Sequence, residues 1–578
     1  MSKNIAEQFV EILVKAGIKR IYAVTGDSLN FLNDAIKREG SIQWIHVRHE
    51  EVGAFAAAAE AELDGLAVCA GSSGPGHVHL INGLYEANRG NVPVLAIAST
   101  CESSEFGTSY FQETNTIKLF DDCSVYNQVA NTPEQAPRML QAALQHAISQ
   151  KGVSVLGVPG DLFEAKSEKN ISSDLVFKTN PRIIPSEEEI NWIANQLNSG
   201  KKVAIYCGIG ASEAHTEVVA LAEKLKAPIG YSFRGKMGIQ YNNPYEVGMT
   251  GLLGLPSAFK AMHEADIVLL LGTDFPYVKF MPTDKVIIQI DDKPERLGRR
   301  AQLTRGFAGK IKDSLINLLP LIKINDNQDF LDKQLDFYQK VKNNLRSYVE
   351  DKGKENHISP EFVAETINQK ANKDTIFTVD TGMCCVWGAR YLEATGERKL
   401  LGSFNHGTMA NAMPMAIGAQ LSHPDKQVIA LCGDGGLSML LGDIATIKQY
   451  NLPIKIIVFN NRSLGMVKLE MEVNGIPDNE TDMVNPDFGL LAQAFGINGI
   501  NVTDPEKVET AIQDALAIDG AVLVNIFTDP NALAMPPKVG WEQMKGMGVA
   551  MTKMMLDGNF KEVADTITSN YKHIKEVL

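Results

Sequence analysis

The chain is 578 residues long, enough for three or four domains, and its composition, 44% hydrophobic and 21% charged, is that of a globular protein. The formal net charge of −14 disfavours a nucleic-acid surface and general adhesion to anionic lipid. The seven cysteines form no CxxC pair and no zinc spacing, the start lacks a signal-like apolar stretch, and no apolar run approaches the ~18 residues of a membrane span, so a reduced, cytoplasmic chain is expected.

The first part of the chain alternates amphipathic helices with short apolar strands. These strands are residues 20–24, 66–70, 92–97 and 153–158. Strands that are apolar on both faces and separated by helices are typical of a parallel sheet covered on both sides. We therefore predict an α/β domain over residues 1–180, which ends in a polar, proline-containing linker.

Two more α/β domains are predicted downstream, over residues 181–345 and 355–530. Their apolar strands are residues 203–206, 267–271 and 286–290 in the second domain and residues 376–379, 428–431 and 454–459 in the third. The first and third domains share a plan in which a strand ends in a Gly-rich turn, followed by a helix, an Asn-x-Pro entry and another strand. The predicted fold class is α/β, with three doubly wound parallel sheets and a C-terminal helical tail over residues 531–578.

A Gly-rich turn in the third domain is the strongest local signal. Gly433-Asp434-Gly435-Gly436 directly follows a buried strand, at the sheet edge where open α/β folds bind ligands. The glycines let backbone N–H groups approach a phosphate, and the following helix N-terminus adds partial positive charge. Asn461 ends the next strand, and its amide oxygen together with the Asp434 carboxylate would suit Mg²⁺ beside a diphosphate. A Gly-Asp-Gly run alone would favour a capped turn, but the whole order of strand, turn, helix, strand and Asn favours the metal site.

This order matches the signature of thiamine-diphosphate enzymes, which the chain therefore resembles. In that superfamily a carboxylate from the partner α/β domain, just before an Ala-rich helix, touches the pyrimidine ring of the cofactor and activates it. Glu50 holds the matching position before the Ala-rich stretch 52–59. By themselves Glu50 and Glu51 also fit an acidic first helical turn; the resemblance implies the catalytic role. Related enzymes join the two half-sites across subunits, which implies a homodimer or a higher homo-oligomer, with a tetramer as the expected form.

The whole chain resembles the family of bacterial peripheral-membrane pyruvate oxidases, which are thiamine-diphosphate- and FAD-dependent pyruvate:quinone oxidoreductases. The similar stretches come from all three domains and are residues 22–30, 74–76, 79–83, 110–114, 243–245, 247–251 and 402–407. The resemblance implies that pyruvate is converted to acetate and CO₂ and that electrons pass through FAD to a membrane quinone.

The same resemblance places FAD in the second domain. The implied contacts are Gly208, Gly210, Thr250, Gly251, Leu252, Leu253, Thr273, Asp274, Phe275, Pro276, Tyr277 and Asp291. The assignment of Asp291 also has a physical reason. This residue follows a predicted strand, at a position where a carboxylate can accept a hydrogen bond from a ribose hydroxyl. The glycine pattern at Gly208 and Gly210 is too short to carry the assignment alone.

For thiamine diphosphate the implied contacts are Gly26, Asp27, Gly74, Asn82, Thr381, Gly382, Gly407, Thr408, Met409, Asp434, Gly435, Gly436, Asn461, Leu464 and Gly465, with Asp434, Asn461 and Ser463 on Mg²⁺. The implied catalytic and substrate residues are Glu50, Phe111, Gln112, Met466, Val467 and Glu470. Met409 would support the bent cofactor from below, although a methionine there also fits plain core filling. The family has Phe, linked to electron transfer, where this chain has Met466, which fills the space without supplying an aromatic ring.

The tail follows Pro536 and Pro537 and carries apolar residues at helical spacing from Phe560 to its end, with interspersed lysines. This pattern predicts an amphipathic helix. Such a helix commonly caps the protein's own core. The resemblance instead implies a reversible anchor to the lipid bilayer surface, on the inner face of the cell membrane, that covers the active site at rest.

Three other functions remain open on the sequence. An acetolactate-synthase-like carboligase would use the same cofactors to join two 2-oxo acids. A phosphate- and oxygen-dependent pyruvate oxidase would form acetyl phosphate. A non-catalytic thiamine-diphosphate sensor is disfavoured by Glu50. The sequence does not distinguish ubiquinone from menaquinone, or a dimer from a tetramer.

Overall fold

The structure is a computed structural model that describes residues 3–167, 175–273, 275–532, 549–551 and 553. Asp274 and nearly all of the predicted tail, including the predicted amphipathic anchor helix, lie outside the described residues.

The described strands form three six-stranded sheets in which every ladder is parallel, together with one short antiparallel hairpin. The first unit contains β1 (Arg20–Ala23), β2 (Gln43–His46), β3 (Ala67–Gly71), β4 (Val94–Thr100), β5 (Tyr126–Val129) and β6 (Val153–Pro159). The central unit contains β7 (Val203–Cys207), β8 (Ile229–Tyr231), β9 (Glu246–Met249), β10 (Ile267–Leu271), β11 (Val286–Asp291) and β12 (Arg305–Ala308). After the hairpin of β13 (Gly353–Lys354) and β14 (His357–Ile358), the third unit contains β15 (Ile376–Val379), β16 (Lys399–Gly402), β17 (Val428–Gly433), β18 (Lys455–Asn460), β19 (Asn498–Val502) and β20 (Val522–Phe527).

Helices connect these strands and cover both faces of each sheet. The first unit has α1 (Ile5–Lys15), α2 (Asn30–Glu39), α3 (Glu50–Asp64), α4 (Pro75–Val78), α5 (Ile81–Gly90), α6 (Thr116–Phe120), α7 (Ala136–Gln150) and α8 (Gly160–Glu164). The central unit has α9 (Glu187–Leu197), α10 (His215–Leu225), α11 (Lys236–Ile239), α12 (Pro256–Glu264) and α13 (Ile311–Leu318), and the long α14 (Asp329–Val349) follows it. The third unit has α15 (Pro360–Lys370), α16 (Met383–Tyr391), α17 (Ala412–Ser422), α18 (Asp434–Met439), α19 (Ile444–Gln449), α20 (Gly465–Val473), α21 (Phe488–Ala494) and α22 (Val508–Ala517). Across the described ranges, no helix combines the length and the hydrophobicity that a bilayer crossing requires.

The strand orders confirm three doubly wound sheets. The first sheet has the order β2-β1-β3-β4-β6-β5, and the third repeats it as β16-β15-β17-β18-β20-β19. The central sheet has a different order, β12-β11-β10-β7-β8-β9. The order reverses between β1 and β3, between β7 and β10, and between β15 and β17, and ligands of open α/β sheets bind at such reversals.

The first and third units pack against each other through α3 and α17. Small residues permit the close approach: a Cβ atom added at Gly418 would lie 2.0 Å from the backbone oxygen of Ala56. Buried side chains at this contact, from Tyr22 and Phe55 of the first unit to Met413 and Phe488 of the third, form one continuous hydrophobic cluster. Each of these two units also has a second cluster of its own on the other side of its sheet. The central unit has separate clusters of its own.

Candidate functional site

Asp434 lies at the start of α18, directly after β17, and is 3% exposed. Its Oδ2 atom accepts hydrogen bonds from the backbone N–H of Arg462 at 2.8 Å and from the side-chain amide of Asn485 at 2.6 Å. Burial raises the pKa of Asp434, and these two donors oppose that rise. The contact with Arg462 brings the end of β18 against the Gly-rich turn, as the sequence spacing predicts.

Asn461 and Ser463 form the other side of this position. The Oδ1 atom of Asn461 accepts from the backbone N–H of Ser463 at 3.1 Å. The Ser463 hydroxyl is buried and has no hydrogen-bond partner within the described residues. A carboxylate, an amide oxygen and an unpartnered hydroxyl on adjoining strand ends are hard oxygen donors, which fit Mg²⁺. Strand β18 ends at Asn460, one residue later than the sequence predicts.

Two glycines open the space beside this oxygen cluster. A Cβ atom at Gly435 would lie 3.1 Å from Cε of Met409 and 3.2 Å from Cδ2 of Leu464. A Cβ atom at Gly436 would lie 2.3 Å from Oδ2 of Asp380. A side chain at Gly436 would collide with Asp380, and one at Gly435 would press on the side-chain ends of Met409 and Leu464. Glycine at both positions leaves backbone N–H groups accessible at the start of a helix, where a phosphate is favoured.

The sequence interpretation missed Asp380, although it included Thr381 and Gly382, the next two residues. Asp380 follows β15, which lies beside β17 in the sheet, and its Oδ1 atom accepts from the backbone N–H of Ala412 at 2.8 Å. Burial raises the pKa of this carboxyl to about 7. An acidic residue directly after a buried strand was the signal that could have identified it. Gly382 has a φ of +137°, a conformation that favours glycine where α16 begins.

Glu50 is the first residue of α3 and is 7% exposed. Its Oε2 atom lies 2.9 Å from Nδ1 of His79, and its Oε1 atom would lie 3.3 Å from a Cβ at Gly76. The imidazole of His79 stacks on that of His49, with ring centroids 4.4 Å apart. Glu50 therefore lies in a polar pocket between the start of α3 and the glycine-rich turn after β3.

Asn82 connects this pocket to the third unit. Its side-chain amide donates to Oε1 of Glu51 at 2.7 Å and to the hydroxyl of Thr408 at 3.0 Å. The side chain of Asn82 therefore links Glu51, the neighbour of Glu50, to Thr408, one of the predicted thiamine contacts. Gly407, which precedes Thr408, is exposed and has a φ of +78°.

The other predicted residues of the first unit gather where β1 and β3 end. A Cβ atom at Gly26 would lie 2.3 Å from Cβ of Ser72, and the Ser72 hydroxyl donates to Asp27 at 3.3 Å. Gly74 has a φ of +65°, and a Cβ there would lie 2.7 Å from Cβ of Gln112. The neighbouring Phe111 is 76% exposed.

The remaining predicted substrate residues lie on α20. Gly465 begins this helix, and a Cβ atom there would lie 3.0 Å from the side-chain amide of Asn461. Val467 is 46% exposed and Glu470 is exposed, whereas Met466 packs partly against the core of the third unit. The helix therefore starts at the oxygen cluster and presents Val467 and Glu470 to solvent.

In the central unit, Gly208 and Gly210 pack against the neighbouring strand end. A Cβ atom at Gly208 would lie 2.3 Å from the backbone oxygen of Gly272, and one at Gly210 would lie 2.9 Å from its Cα. These glycines are therefore required for backbone packing at the point where the strand order reverses. Thr273 follows at once and is 5% exposed.

The loop after β9 packs against the loop after β10. A Cβ atom at Gly251, whose φ is +116°, would lie 2.9 Å from the ring of Phe275. The Thr250 hydroxyl is buried without a hydrogen-bond partner in the described part of the chain. Arg390 of α16 donates to the backbone oxygen of Leu253 at 3.2 Å. Leu252, Pro276 and Tyr277 are exposed.

Two charged groups complete this edge of the central sheet. Asp291 ends β11, is 1% exposed, and lies 3.8 Å from the guanidinium of Arg296. Arg234, which the sequence interpretation missed, follows β8 and donates from Nη2 to the backbone oxygen of Gly90 at 2.9 Å. Its Nη1 atom is buried and lacks a partner among the described residues. A half-buried guanidinium and a buried hydroxyl without a hydrogen-bond partner among the described residues, close to a strand reversal, fit an anionic dinucleotide.

Three family models match the chain. The N-terminal thiamine pyrophosphate (thiamine diphosphate) binding domain matches residues 3–119, the central domain of thiamine pyrophosphate enzymes matches residues 190–318, and their C-terminal binding domain matches residues 380–526.

Curated relatives cover nearly the whole chain. The putative thiamine pyrophosphate-containing protein YdaP of Bacillus subtilis is 34% identical over 100% of this chain and 99% of that protein. A pyruvate oxidase of Lactiplantibacillus plantarum is 31% identical over 88% of this chain and 85% of that protein. A probable acetolactate synthase large subunit of Methanococcus aeolicus is 29% identical over 92% of this chain and 94% of that protein.

Proposed function

The chain belongs to the thiamine pyrophosphate enzyme family, and from this premise we propose that it oxidatively decarboxylates pyruvate to acetate and CO₂. FAD held in the central unit would supply the two-electron acceptor, a membrane quinone would be the final oxidant, and water would supply one oxygen of acetate. The enzyme would work as a homotetramer on the inner face of the cell membrane. The observation that carries the proposal is the oxygen cluster of Asp434, Asn461 and Ser463 beside a Gly-rich turn.

Thiamine diphosphate would be held through Mg²⁺ on that cluster. Asp434 contributes the charge, Asn461 an amide oxygen and Ser463 the hydroxyl that has no partner within the described residues. The backbone N–H groups of Gly435 and Gly436 would bind the diphosphate, and Met409 would support the ring end of the cofactor. When bound, the cofactor supplies a carbon nucleophile and an electron sink for the bond to CO₂.

Glu50 would hold a proton at the pyrimidine ring nitrogen of the cofactor. Its buried position beside His79 keeps the carboxyl fixed and away from bulk water, which suits acid–base work. Phe111, Gln112, Val467 and Glu470 would form the pyruvate pocket. Exposure of Phe111 and Val467 leaves apolar surface at the places where a small 2-oxo acid would bind.

The central unit would bind FAD at its strand reversal. Arg234 would pair with the pyrophosphate, Thr250 would donate or accept through its hydroxyl, and Asp291 would accept from a ribose hydroxyl. Tyr277 offers an exposed aromatic ring here and packs edge-on against the buried ring of Phe275, which lies beside Gly251. Asp274, assigned to the same contact segment by its sequence position, lies outside the described residues.

An assay with pyruvate tests this function. The purified protein, supplied with thiamine diphosphate, Mg²⁺ and FAD, is expected to lose its oxidised flavin absorbance on addition of pyruvate and to recover it with ferricyanide or a quinone. We expect acetate as the product. Acetolactate would instead support a carboligase, as the relatives named acetolactate synthase suggest, and acetyl phosphate with peroxide would support a phosphate-dependent oxidase. No flavin binding, or no reduction by pyruvate, would overturn the proposal.

The C-terminal tail is proposed to bind lipid and to cover the active site at rest. The short described piece of this tail lies beside the end of α20: the Lys553 ammonium donates to the backbone oxygen of Gly475 at 2.9 Å, and Ala550 is buried. This contact supports a tail that runs beside the helix carrying Val467 and Glu470.

Deletion of the residues beyond 555 tests the tail. We expect the shortened protein to reduce ferricyanide faster without lipid and to lose binding to phospholipid vesicles in a flotation assay, because an amphipathic helix supplies the buried apolar area for such binding. The full-length protein is the control. A shortened protein that still floats with vesicles, or that is no faster, would contradict the proposed role.

A further inference from the structure

One face of α5, in the first unit, contacts a single loop of the third unit, residues 403–408. The residues that make these contacts are Asn82, Tyr85, Glu86 and Arg89. Their spacing of i, i+3, i+4 and i+7 places them on one side of the helix. This side faces the loop that leads to Thr408 and Met409, the predicted thiamine contacts.

Asn82 and Tyr85 contact His406 and Thr408, in the second half of the loop. Asn82 bonds Thr408, as described above, and its Oδ1 atom lies 2.9 Å from Nε2 of His406. The ring of Tyr85 stacks on His406 with centroids 5.4 Å apart and planes 9° apart. Both contacts fix side chains of the loop.

Glu86 acts on the loop backbone. Its buried carboxyl accepts a hydrogen bond from the hydroxyl of Ser403, and the oxygen of that hydroxyl accepts the backbone N–H of Thr408 at 2.9 Å. When the carboxyl is ionised it can only accept, so Ser403 then donates its single proton to Glu86 and keeps its lone pairs for Thr408. Glu86 therefore determines the direction of the Ser403 hydroxyl, and through it the position of the Thr408 backbone.

We propose that Glu86 is a positioning residue that holds residues 407–409 in the conformation that receives thiamine diphosphate. The inference rests on the proposed function, because it takes these residues as cofactor contacts. It adds a role for a side chain of the first unit that lies outside the metal, diphosphate and pyrimidine contacts described above.

The electrostatic surroundings of Glu86 agree with a specific role. Burial raises its pKa to about 7, the Ser403 hydroxyl and Arg234 oppose this rise, and Glu62 adds to it. A carboxyl buried between two units with so little compensation is costly for stability, and an apolar residue of similar size would pack there at less cost. The carboxyl accepts the hydrogen bond that orients the Ser403 hydroxyl, which an apolar residue could not do.

Three variants separate positioning from packing: E86L keeps the volume and removes the acceptor, E86Q keeps an acceptor oxygen, and S403A removes the hydroxyl between Glu86 and Thr408. Two properties are measured. The first is hydrogen exchange of the peptide spanning residues 403–409 in protein without cofactor. The second is the Kd of thiamine diphosphate with Mg²⁺, from quenching of protein fluorescence.

We expect E86L and S403A each to speed exchange at Thr408 and to raise the Kd about tenfold, the effect of one lost hydrogen bond. E86Q is expected to stay within about threefold of the wild type, since its amide oxygen still accepts from Ser403. The double variant E86L/S403A should have a Kd no higher than that of the single variant with the higher Kd, because both changes break the same chain of hydrogen bonds. The melting temperature of E86L is expected to equal or exceed that of the wild type, which separates loss of positioning from loss of folding.

The inference would be overturned if E86L showed the same hydrogen exchange and the same Kd as the wild type. It would also be overturned if the effects of E86L and S403A on the Kd were additive in the double variant. If the unchanged protein does not bind thiamine diphosphate, the proposed function fails. The exchange measurement still decides whether Glu86 holds the loop, so the two failures are distinguishable.

Discussion

Replacing Glu50 with glutamine is expected to lower kcat by about 100- to 1,000-fold, the range that loss of a positioned acid–base group commonly produces. Glutamine has the same shape, so the start of α3 and the contact with His79 should remain. What is lost is the group that holds a proton on the cofactor ring. Turnover of pyruvate with ferricyanide, at saturating thiamine diphosphate, Mg²⁺ and FAD, measures the effect.

Glu51→Gln is the matched control for this prediction. Glu51 is adjacent in sequence and accepts from Asn82, but the proposed mechanism gives it no proton to hold. We expect this variant to lose less than about tenfold in kcat, as for one weakened hydrogen bond. Near-normal turnover in Glu50→Gln, or an equal loss in both variants, would refute the assignment of Glu50.

Replacing Asp434 with asparagine is expected to weaken cofactor binding at least about 100-fold, because the only carboxylate in the proposed Mg²⁺ ligand set is lost. The protein without cofactor should be as stable as the wild type or more stable. The reason is that Asp434 is buried and its pKa is raised by burial, so removing its charge removes a desolvation cost. The Asn side-chain oxygen can still accept from Arg462 and Asn485.

Thermal unfolding with and without ligand tests both parts. The wild type should unfold at a higher temperature when thiamine diphosphate and Mg²⁺ are added together, since a ligand that binds only the folded state stabilises it. Addition of EDTA should remove this shift. Asp434→Asn should show no shift in either condition. A variant that is stabilised by the cofactor as strongly as the wild type would exclude Asp434 as the metal ligand.

The sequence predicted those parts of the fold and site that depend on local pattern. Apolar strands separated by helices predicted three parallel sheets, and the structure confirms them. Asp434 and Asn461 were predicted to lie at one edge because each follows a buried strand, and the carboxyl ends of adjacent parallel strands meet there. Their role as metal ligands stays a prediction. The hydrogen bond from the backbone N–H of Arg462 to Asp434 shows that these two strand ends lie side by side.

The residues that the sequence did not reveal are those brought in by the order of strands or by another unit. Asn485 reaches Asp434 from a segment well beyond the Asn461 signal, and Asp380 approaches Gly436 only because β15 lies beside β17. Arg234 contacts Gly90 of the first unit, and Glu86 contacts Ser403 of the third. No periodicity or spacing within one segment encodes such contacts, because they depend on how separate units pack.

The shared hydrophobic cluster between α3 and α17 has a consequence for how the chain folds during synthesis. The first unit leaves the ribosome early, but the apolar side chains that cover α3 belong to a unit encoded more than three hundred residues later. Until then the alanine-rich face of α3 is exposed to water and to other nascent chains. We therefore expect the α3 side of the first unit to remain incompletely packed on the ribosome, although the opposite side of its sheet has a cluster of its own. The central unit, whose clusters consist almost entirely of its own residues, can complete its folding before the third unit is made.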